Sequence, residues 1–533
     1  MGSARLPVDI QDFGYLRKNE YRYVDKTDMV YLLASMGKTY FLARPTRFGK
    51  SLLVSTLEAY FSGREDLFQG LAIEELEQQS PTYINEEGKR IPWVKGPVIH
   101  LDFNNVDSET LENVRDSISE KLSKYESLWG KEDGDLTIAG RFLSLIENMH
   151  AKTGVPVAVL VDEYDKPLLN TFQNEELNQK IRDLLKTFFG TLKTADAHTR
   201  FVFITGVTKF SHVSIFSDLN QVRDISLRKE FNTLCGWTRE EIVRNFSDEL
   251  TEFSRDVSMS EEELISELTD RYDGYLFASE GEGIFNPFSV LCALDSHEFE
   301  DYWFQTAAPA FLIKTVKETN FDITSMVKGI QAQKKDFMSY KASLEEPIPL
   351  FYQSGYLTIK DYDPNLKQFT LRFPNKEVKG SFLEYILPIY LGSAEDDRAF
   401  NYRMFAADIK NGNVDGFMQR LKSLLASVPY GTAAASYEHT YQTALYLIFT
   451  LCGQDVRTEV HTISGRVDAV METDHYIYIF EFKTDRNGSA ENALDQIDSK
   501  GYAEPYLASG KNVVKIGAVF STDQKNLLEY TVQ

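Results

Sequence analysis

The sequence is poor in cysteine, in long apolar runs and in positive charge, and each shortage closes off a class of protein. Three cysteines in 533 residues, Cys235, Cys292 and Cys452, lie far apart and match no zinc or disulfide spacing. Free buried thiols in a reducing compartment are the reading that follows. No uninterrupted apolar stretch, residues 444–449 included, approaches the ~20 residues that a membrane-spanning helix needs, so no membrane segment is expected. No basic segment followed by an apolar one opens the chain, which points to the cytoplasm. Lys and Arg number 57 against 80 Asp and Glu, a net charge of −23. Such a surface repels phosphate backbones as a whole, so any contact with nucleic acid has to be local, helped by a divalent ion that offsets carboxylates.

What the chain does have is length and pattern. At 533 residues it is too long for one hydrophobic core, and roughly three or four domains are expected. From residue 38 to about 235, short β-rich runs alternate with longer amphipathic stretches, as a mainly parallel sheet with helical crossovers requires. Strands are expected at 39–43, 98–103, 155–161 and 201–205, in a domain over 1–235. Helical periodicity then takes over, through 238–268 and near 288–294, and reads as a helical lid over 236–345. Residues 347–374, with a β-rich run at 355–359 and a turn at 361–365, read as a small winged module within 346–426. Helices are expected at 406–428 and 437–451, separated by Pro429-Tyr430-Gly431-Thr432. Strands at 456–460, 466–471 and 476–482, a helix at 490–507 and a strand at 513–520 then build a last domain over 427–533.

The stretch 39–53 reads as strand, loop, Gly49-Lys50-Ser51 and helix. A loop such as Arg44-Pro45-Thr46-Arg47-Phe48-Gly49-Lys50-Ser51 turns backbone N–H groups and a helix N-terminus toward a polyphosphate. Lys50 would reach the β- and γ-phosphates of ATP, and Ser51 would ligate Mg²⁺. Arg44 stands where the first glycine of GxxxxGK[ST] belongs. It and Arg47 are read either as bidentate phosphate ligands or as salt-bridge partners of the acidic surface. Downstream, the apolar run 157–161 ends in Asp162 and Glu163. In a buried strand of this type Asp162 holds the Mg²⁺ shell and Glu163 polarises the attacking water; the alternative is a solvated strand end or helix N-cap. A further buried strand ends at Thr205, whose hydroxyl is either a γ-phosphate sensor or a plain strand-end group.

A second constellation lies near the C-terminus: Gly465-Arg466-Val467-Asp468-Ala469-Val470-Met471, a turn, then Tyr476-Ile477-Tyr478-Ile479-Phe480-Glu481-Phe482-Lys483. With a four-residue loop at 472–475, Met471 pairs with Tyr476 and Asp468 falls opposite Ile479, diagonal to Glu481. Ile477, Ile479, Glu481 and Lys483 then share one face, and Tyr476, Tyr478, Phe480 and Phe482 the other. Unpaired charge at the end of so apolar a hairpin costs on the order of several kcal/mol. A divalent cation, Mg²⁺ or Mn²⁺, resolves this: Asp468, Glu481 and the Phe482 carbonyl supply oxygen ligands, the ion activates a water for in-line attack, and Lys483 either positions that water or stabilises the charge developing on the attacked phosphate. The competing reading is a Glu481–Lys483 ion pair, with Arg466 closing on Asp468.

These motifs, with Leu6-Pro7-Val8-Asp9-Ile10-Gln11-Asp12-Phe13, Tyr23-Val24-Asp25-Lys26-Thr27, Asp162-Glu163-Tyr164-Asp165, Thr205-Gly206-Val207-Thr208-Lys209-Phe210-Ser211, Tyr272-Asp273-Gly274-Tyr275 and Asn286-Pro287-Phe288-Ser289, resemble the bacterial AAA-ATPase-like family that carries a C-terminal PD-(D/E)XK nuclease domain. In that family Arg commonly replaces the first Walker glycine, so Arg44 departs from the general motif and not from the family. The resemblance covers nearly the whole chain. It implies an α/β fold: a P-loop NTPase parallel sheet with a helical lid, followed by a PD-(D/E)XK restriction-endonuclease-like α/β domain. It also implies that Glu438 and Glu459 complete the acidic cluster, that Gln496, four residues before Lys500, holds a phosphate or the attacking water, and that Tyr502 supports it.

The expected function is ATP binding and hydrolysis coupled to Mg²⁺-dependent cleavage of nucleic acid, DNA ahead of RNA, with assembly into homo-oligomers left open. From residue 427 onward, however, 8 Lys and Arg face 14 Asp and Glu, contrary to the usual basic footprint. The alternative is therefore a nucleotide-dependent switch or scaffold whose nuclease-like domain only binds nucleic acid or protein. A processive motor is a third, weaker reading, since no helicase motifs follow.

Overall fold

The computed structural model describes residues 5–533 except 133, 135, 210–221, 308–320, 322, 339–346, 391–401, 427–445, 452–454, 463–464, 522 and 524–525. The side chains of 305–307, 388–390, 402–403, 455–462 and 465–467 are likewise outside the description. The chain divides into two compact units, Met1–Phe321 with Met326–Val378, and Asp322–Ser325 with Lys379–Gln533.

The first unit is built on a five-stranded, wholly parallel sheet of β1 (Thr39–Ala43), β2 (Val98–Asp102), β3 (Val157–Asp162), β4 (Thr199–Gly206) and β5 (Arg223–Asp224). Their order is β2-β3-β4-β1-β5. β1 and β3 are buried along their whole length, as strands must be when helices cover both faces of a parallel sheet. β4 therefore lies between β1 and β3, with Leu42 beside Thr205 and Val161 beside Ile204. The C-terminal ends of β1, β3 and β4 open onto one edge, where ligands of open α/β sheets bind. β5, only two charged residues long, carries no periodic signal and was not among the expected strands.

After the sheet come helices Arg239–Asn245, Ser247–Asp256, Glu261–Tyr272 and Pro287–Ser296, which share a core of Ile242, Phe246, Phe253, Leu264, Leu268, Val290 and Leu294. A three-stranded antiparallel sheet of β6 (Ile330–Ala332), β7 (Thr358–Asp363) and β8 (Gln368–Arg372), ordered β6-β8-β7, then packs with short helices Lys334–Met338 and Ile348–Gln353. This module takes its first strand from residues before 346. Its helix Ile348–Gln353 is buried from Pro349 to Gln353, so it offers no polar face to a ligand.

The second unit holds a mixed sheet of β9 (Asp455–Thr462), β10 (Gly465–Glu472), β11 (Tyr476–Thr484), β12 (Asn512–Phe520) and β13 (Leu527–Val532) in sequence order. β11 and β12 are parallel, joined through helix Ala490–Ser499; the other pairs are antiparallel. Side chains alternate along β11 as a strand requires. Ile477 and Ile479 pack on Leu494 and Ile497, while Tyr478, Phe480 and Phe482 face the aromatic side, where Phe480 stacks on Phe449 at 4.6 Å. Three expectations are corrected here. The helix read at 406–428 is two helices, Tyr402–Lys410 and Val414–Ala426, broken where Gly412 turns with φ +77°. The helix read to 507 stops at Ser499, and β13 adds a final strand. The breaker at 429–432 and most of the helix read at 437–451 lie outside the described residues.

Among the described residues no helix is long and apolar enough to cross a membrane. Cys235 and Cys292 are free thiols, and Cys452 lies outside the described residues.

Candidate active sites

The loop between β1 and helix Lys50–Phe61 has the form a polyphosphate needs. Gly49 adopts φ +87°, a conformation costly for any side chain, and the helix begins immediately after it. Lys50 is buried; its Nζ donates to the Pro45 carbonyl at 3.1 Å and lies 3.5 Å from Glu163 Oε1. The Asp162 carboxyl is pushed up by burial and by Glu163, while the Ser51 hydroxyl and Lys50 pull it down. Glu163 itself sits at φ +52°, a sparsely populated conformation of the kind that clusters at functional sites. Lys50, Ser51, Asp162 and Glu163 are thus brought together. A hydroxyl and a buried carboxylate converging beside the loop are a donor set that fits Mg²⁺.

The remaining loop residues divide. Arg44 is a correction: its guanidinium donates to the carbonyls of Ala43, Ser226 and Phe231 and lies 4.1 Å over the Phe277 ring. It is 1 % exposed, so it is neither aimed at a phosphate nor paired with a surface acid. Burial lowers its pKa; the three carbonyls accept from its two terminal nitrogens, while Nε is buried without a hydrogen-bond partner among the described residues. Arg47 pairs with Asp9 at 2.7 Å and covers Phe288. Phe48 is buried against Tyr275 and Phe277. Pro45 is buried, and the Thr46 carbonyl accepts from the Trp303 indole N–H at 3.1 Å. Thr205 donates to the Leu42 carbonyl, which joins β4 to β1.

Asp165 had no role in the sequence reading. It is fully buried and accepts hydrogen bonds from the Val207 and Thr208 amides and the Thr208 hydroxyl. Burial and Glu163 push it up to about 6. Gly206 leaves it room, since a Cβ there would lie 2.3 Å from Asp165 Oδ1. The Glu163 turn is thereby stapled to the end of β4, helped by the Tyr164 hydroxyl on the Thr208 carbonyl. An acid three residues past the strand-end Asp162, and a threonine three past Thr205, were the available signals.

In the second unit the hairpin register differs from expectation. Met471 pairs with Tyr478 and Glu472 with Ile477, and the Thr473 amide donates to the Tyr476 carbonyl, so the loop is two residues and not four. Extending that register puts Asp468 directly opposite Glu481, not diagonal to it. Asp468 Oδ2 accepts from the Phe482 amide at 2.8 Å. Glu481 is 3 % exposed. Its Oε1 accepts from Lys483 Nζ at 3.2 Å and from Gln496 Nε2, while Lys483 also donates to Gln496 Oε1 at 2.6 Å. Its Oε2 is buried with no hydrogen-bond partner among the described residues. Burial and Asp468 push Glu481 up to about 7, with Lys483 opposing.

Asp468, Glu481, Lys483 and Gln496 therefore meet, and an orphaned buried carboxylate oxygen beside a second acid fits a divalent cation. No group of three or more His, Cys, Asp or Glu able to hold a metal ion occurs among the described residues. Backbone register sets Glu459 between the pairs Thr458–Ala469 and Val460–Val467, level with Asp468, but its side chain and that of Arg466 are outside the description, as is all of Glu438. Tyr502 is buried in the core with Leu494 and Ile497.

A parallel sheet with a phosphate-type loop at its carboxyl edge, and a mixed sheet bearing an acid, acid, lysine cluster, define a two-part chain of ATPase-like and nuclease-like domains. Residues 7–216 match the family described as "Predicted AAA-ATPase", and residues 436–530 match "PD-(D/E)XK nuclease superfamily". A relative from Azotobacter chroococcum mcd 1, named "Uncharacterized protein in vnfD 5'region", is 33% identical over 541 residues, spanning 100% of this chain and 99% of its own length. The chain belongs to the AAA-ATPase-like family with a C-terminal PD-(D/E)XK nuclease superfamily domain.

Proposed function

We propose that the chain binds and hydrolyses ATP and couples this to Mg²⁺-dependent cleavage of nucleic-acid phosphodiesters, in the cytoplasm, with DNA the favoured substrate. The observation that carries the nuclease reading is Glu481. Lys483 does pair with Glu481, but only through Oε1, which also accepts from Gln496, while Oε2 is buried with no hydrogen-bond partner among the described residues and the Asp468 charge raises the carboxyl's pKa. A divalent cation there would act as a Lewis acid on the charge that develops at phosphate. Asp468 and Glu481 would hold it, Lys483 would stabilise the developing negative charge, and Gln496 fixes the orientation of both Lys483 and Glu481.

At the other site, Lys50 would exchange the Pro45 carbonyl and Glu163 for the β- and γ-phosphates, Ser51 and Asp162 would hold Mg²⁺, and Glu163 would orient the attacking water. The loop amides of Pro45–Ser51 other than that of Pro45, which has none, would line the phosphates.

The test is incubation of single- and double-stranded DNA and RNA with Mg²⁺ or Mn²⁺, with and without ATP. Metal-dependent cleavage lost in Glu481→Ala and Lys483→Ala is expected. Cleavage indifferent to both substitutions would end the catalytic assignment. The excess of acidic residues in the C-terminal domain favours one competing reading, a nucleotide-dependent scaffold; ATP binding with no cleavage, and partner binding unchanged in Glu481→Ala, would support it.

A further inference from the structure

A phosphate-binding loop turns its amides inward, so its carbonyls need partners on the outer side. In this chain one of those partners comes from far along the sequence. The Thr46 carbonyl accepts from Trp303 Nε1 at 3.1 Å. Trp303 is fully buried, and its ring meets Tyr356 edge-on at 5.2 Å. Beneath the loop, Gly355 sits at φ +95°, and a Cβ there would lie 2.8 Å from the Pro45 ring and 3.3 Å from the Trp303 ring. The loop is thus gripped at two adjacent residues, Pro45 and Thr46.

Trp303 is held in turn. Its backbone N–H, in the first turn of helix Tyr302–Ala307, donates to Glu377 Oε1 at 2.7 Å. Glu377 is 2 % exposed, and the Ser289 hydroxyl lies 2.9 Å from its Oε2. Burial pushes its carboxyl up to about 8, against the hydrogen bonds it accepts from the Trp303 amide and the Ser289 hydroxyl. Glu377 lies in the first turn of helix Lys376–Tyr390, the helix in which the first compact unit ends at Val378 and the second resumes at Lys379.

We propose that Trp303 and Glu377 are positioning residues of the nucleotide site: Trp303 fixes the outward Thr46 carbonyl, Glu377 fixes Trp303, and occupancy of the loop is thereby registered at the start of helix Lys376–Tyr390. This rests on the reading of residues 44–51 as a nucleotide site. No covalent step is involved. A polyphosphate that pulls on the loop amides alters the Thr46–Arg47 peptide unit whose carbonyl Trp303 holds, and the strain passes through one indole and one carboxyl to the helix that leads into the nuclease-type domain.

The test is hydrogen–deuterium exchange on the full chain with and without MgATP, combined with ATP titration, for the wild type, Trp303→Phe, Glu377→Ala and Glu377→Gln. In the wild type ATP is expected to slow exchange at 44–51 and to change it at 376–382. Trp303→Phe keeps the ring and loses the donor, so ATP affinity should fall about tenfold and the response at 376–382 should vanish. Glu377→Ala should behave alike. Glu377→Gln, which can still accept from Trp303 and donate to Ser289, should restore both, a rescue that mere loss of packing does not give.

Protection at 44–51 without any response at 376–382, or undiminished ATP affinity in Trp303→Phe, would overturn the proposal and leave the nucleotide site standing. Absence of protection at 44–51 in the wild type would overturn the nucleotide reading and this proposal with it. If Trp303→Phe does not fold, the wild-type exchange and the Ala–Gln pair at Glu377 decide the matter.

Discussion

The two candidate sites are built on opposite plans. The nuclease-type cluster is local: Asp468, Glu481, Lys483 and Gln496 fall within one hairpin and the helix that follows it, and each is placed by strand alternation or by the hydrogen bonds among them. The nucleotide-type loop is short in sequence but depends on distant residues. Ser226 and Phe231 hold Arg44, Trp303 holds Thr46, Gly355 makes room for Pro45, and Tyr275 and Phe277 flank Phe48. A site of the first kind is sensitive mainly to its own members. One of the second kind can be loosened, or informed, from far away, because the loop's outward carbonyls and side chains are fixed by other elements.

That contrast can be broken or sharpened by substitution. The largest effect is expected within the local cluster: Glu481→Ala or Lys483→Ala should lower cleavage by at least about 10²-fold while leaving ATP affinity where it was, as followed by cleavage assay and nucleotide titration. Next, Glu163→Gln should slow ATP hydrolysis by about 10²-fold or more yet preserve ATP binding; a variant that hydrolyses normally removes Glu163 from the chemistry.

Third, Arg44→Ala leaves carbonyls of Ala43, Ser226 and Phe231 without their donor and should cost about 3 kcal/mol in denaturant unfolding, as a broken buried network does. An unchanged unfolding midpoint with weakened ATP binding would restore Arg44 to the role of phosphate ligand.

Fourth, the buried Glu377 ties stability to pH. Its folded-state pKa, about 8, lies above the ordinary 4.5, so its protonated form favours the fold, and that contribution is lost as pH rises through about 8. The wild type should therefore melt progressively lower than Glu377→Gln between pH 6 and pH 9, by an amount corresponding to about 1–3 kcal/mol. Asp301 adds to the shift and Arg271 opposes it, both weakly beside burial. Parallel melting curves across that range would show Glu377 to be ionised throughout. The smallest effect belongs to Arg47, whose half-exposed pair with Asp9 should be worth no more than about 1 kcal/mol on Arg47→Ala.

The legible and illegible parts of the fold follow the same division. Apolar runs at 39–43 and 157–161 announced buried parallel strands because burial on both faces demands continuous hydrophobicity, and β1 has the expected bounds. Period-two alternation in 476–483 announced which side chains share a face. It did not announce the register: loops of two and of four residues preserve the same faces, and only the hydrogen bonds between Thr473 and Tyr476 select the shorter one. Gly412 ended a helix that periodicity alone carried through, and β5 and β13 were too short or too polar to stand out.

What the sequence determined by itself was chemistry held within a few residues: Gly49-Lys50-Ser51 after a buried strand, Asp162-Glu163 at the end of another, and the Asp468, Glu481, Lys483 spacing on a hairpin. Tertiary structure alone decided that Arg44 is held by the carbonyls of Ala43, Ser226 and Phe231, that Asp468 falls opposite Glu481, and that Trp303 reaches the Thr46 carbonyl and Glu377 reaches Trp303. The reason is physical. Backbone periodicity fixes where a side chain points relative to its own strand or helix, whereas the partner of a buried charge or carbonyl is whichever group the folded chain brings within about 3 Å, hundreds of residues away.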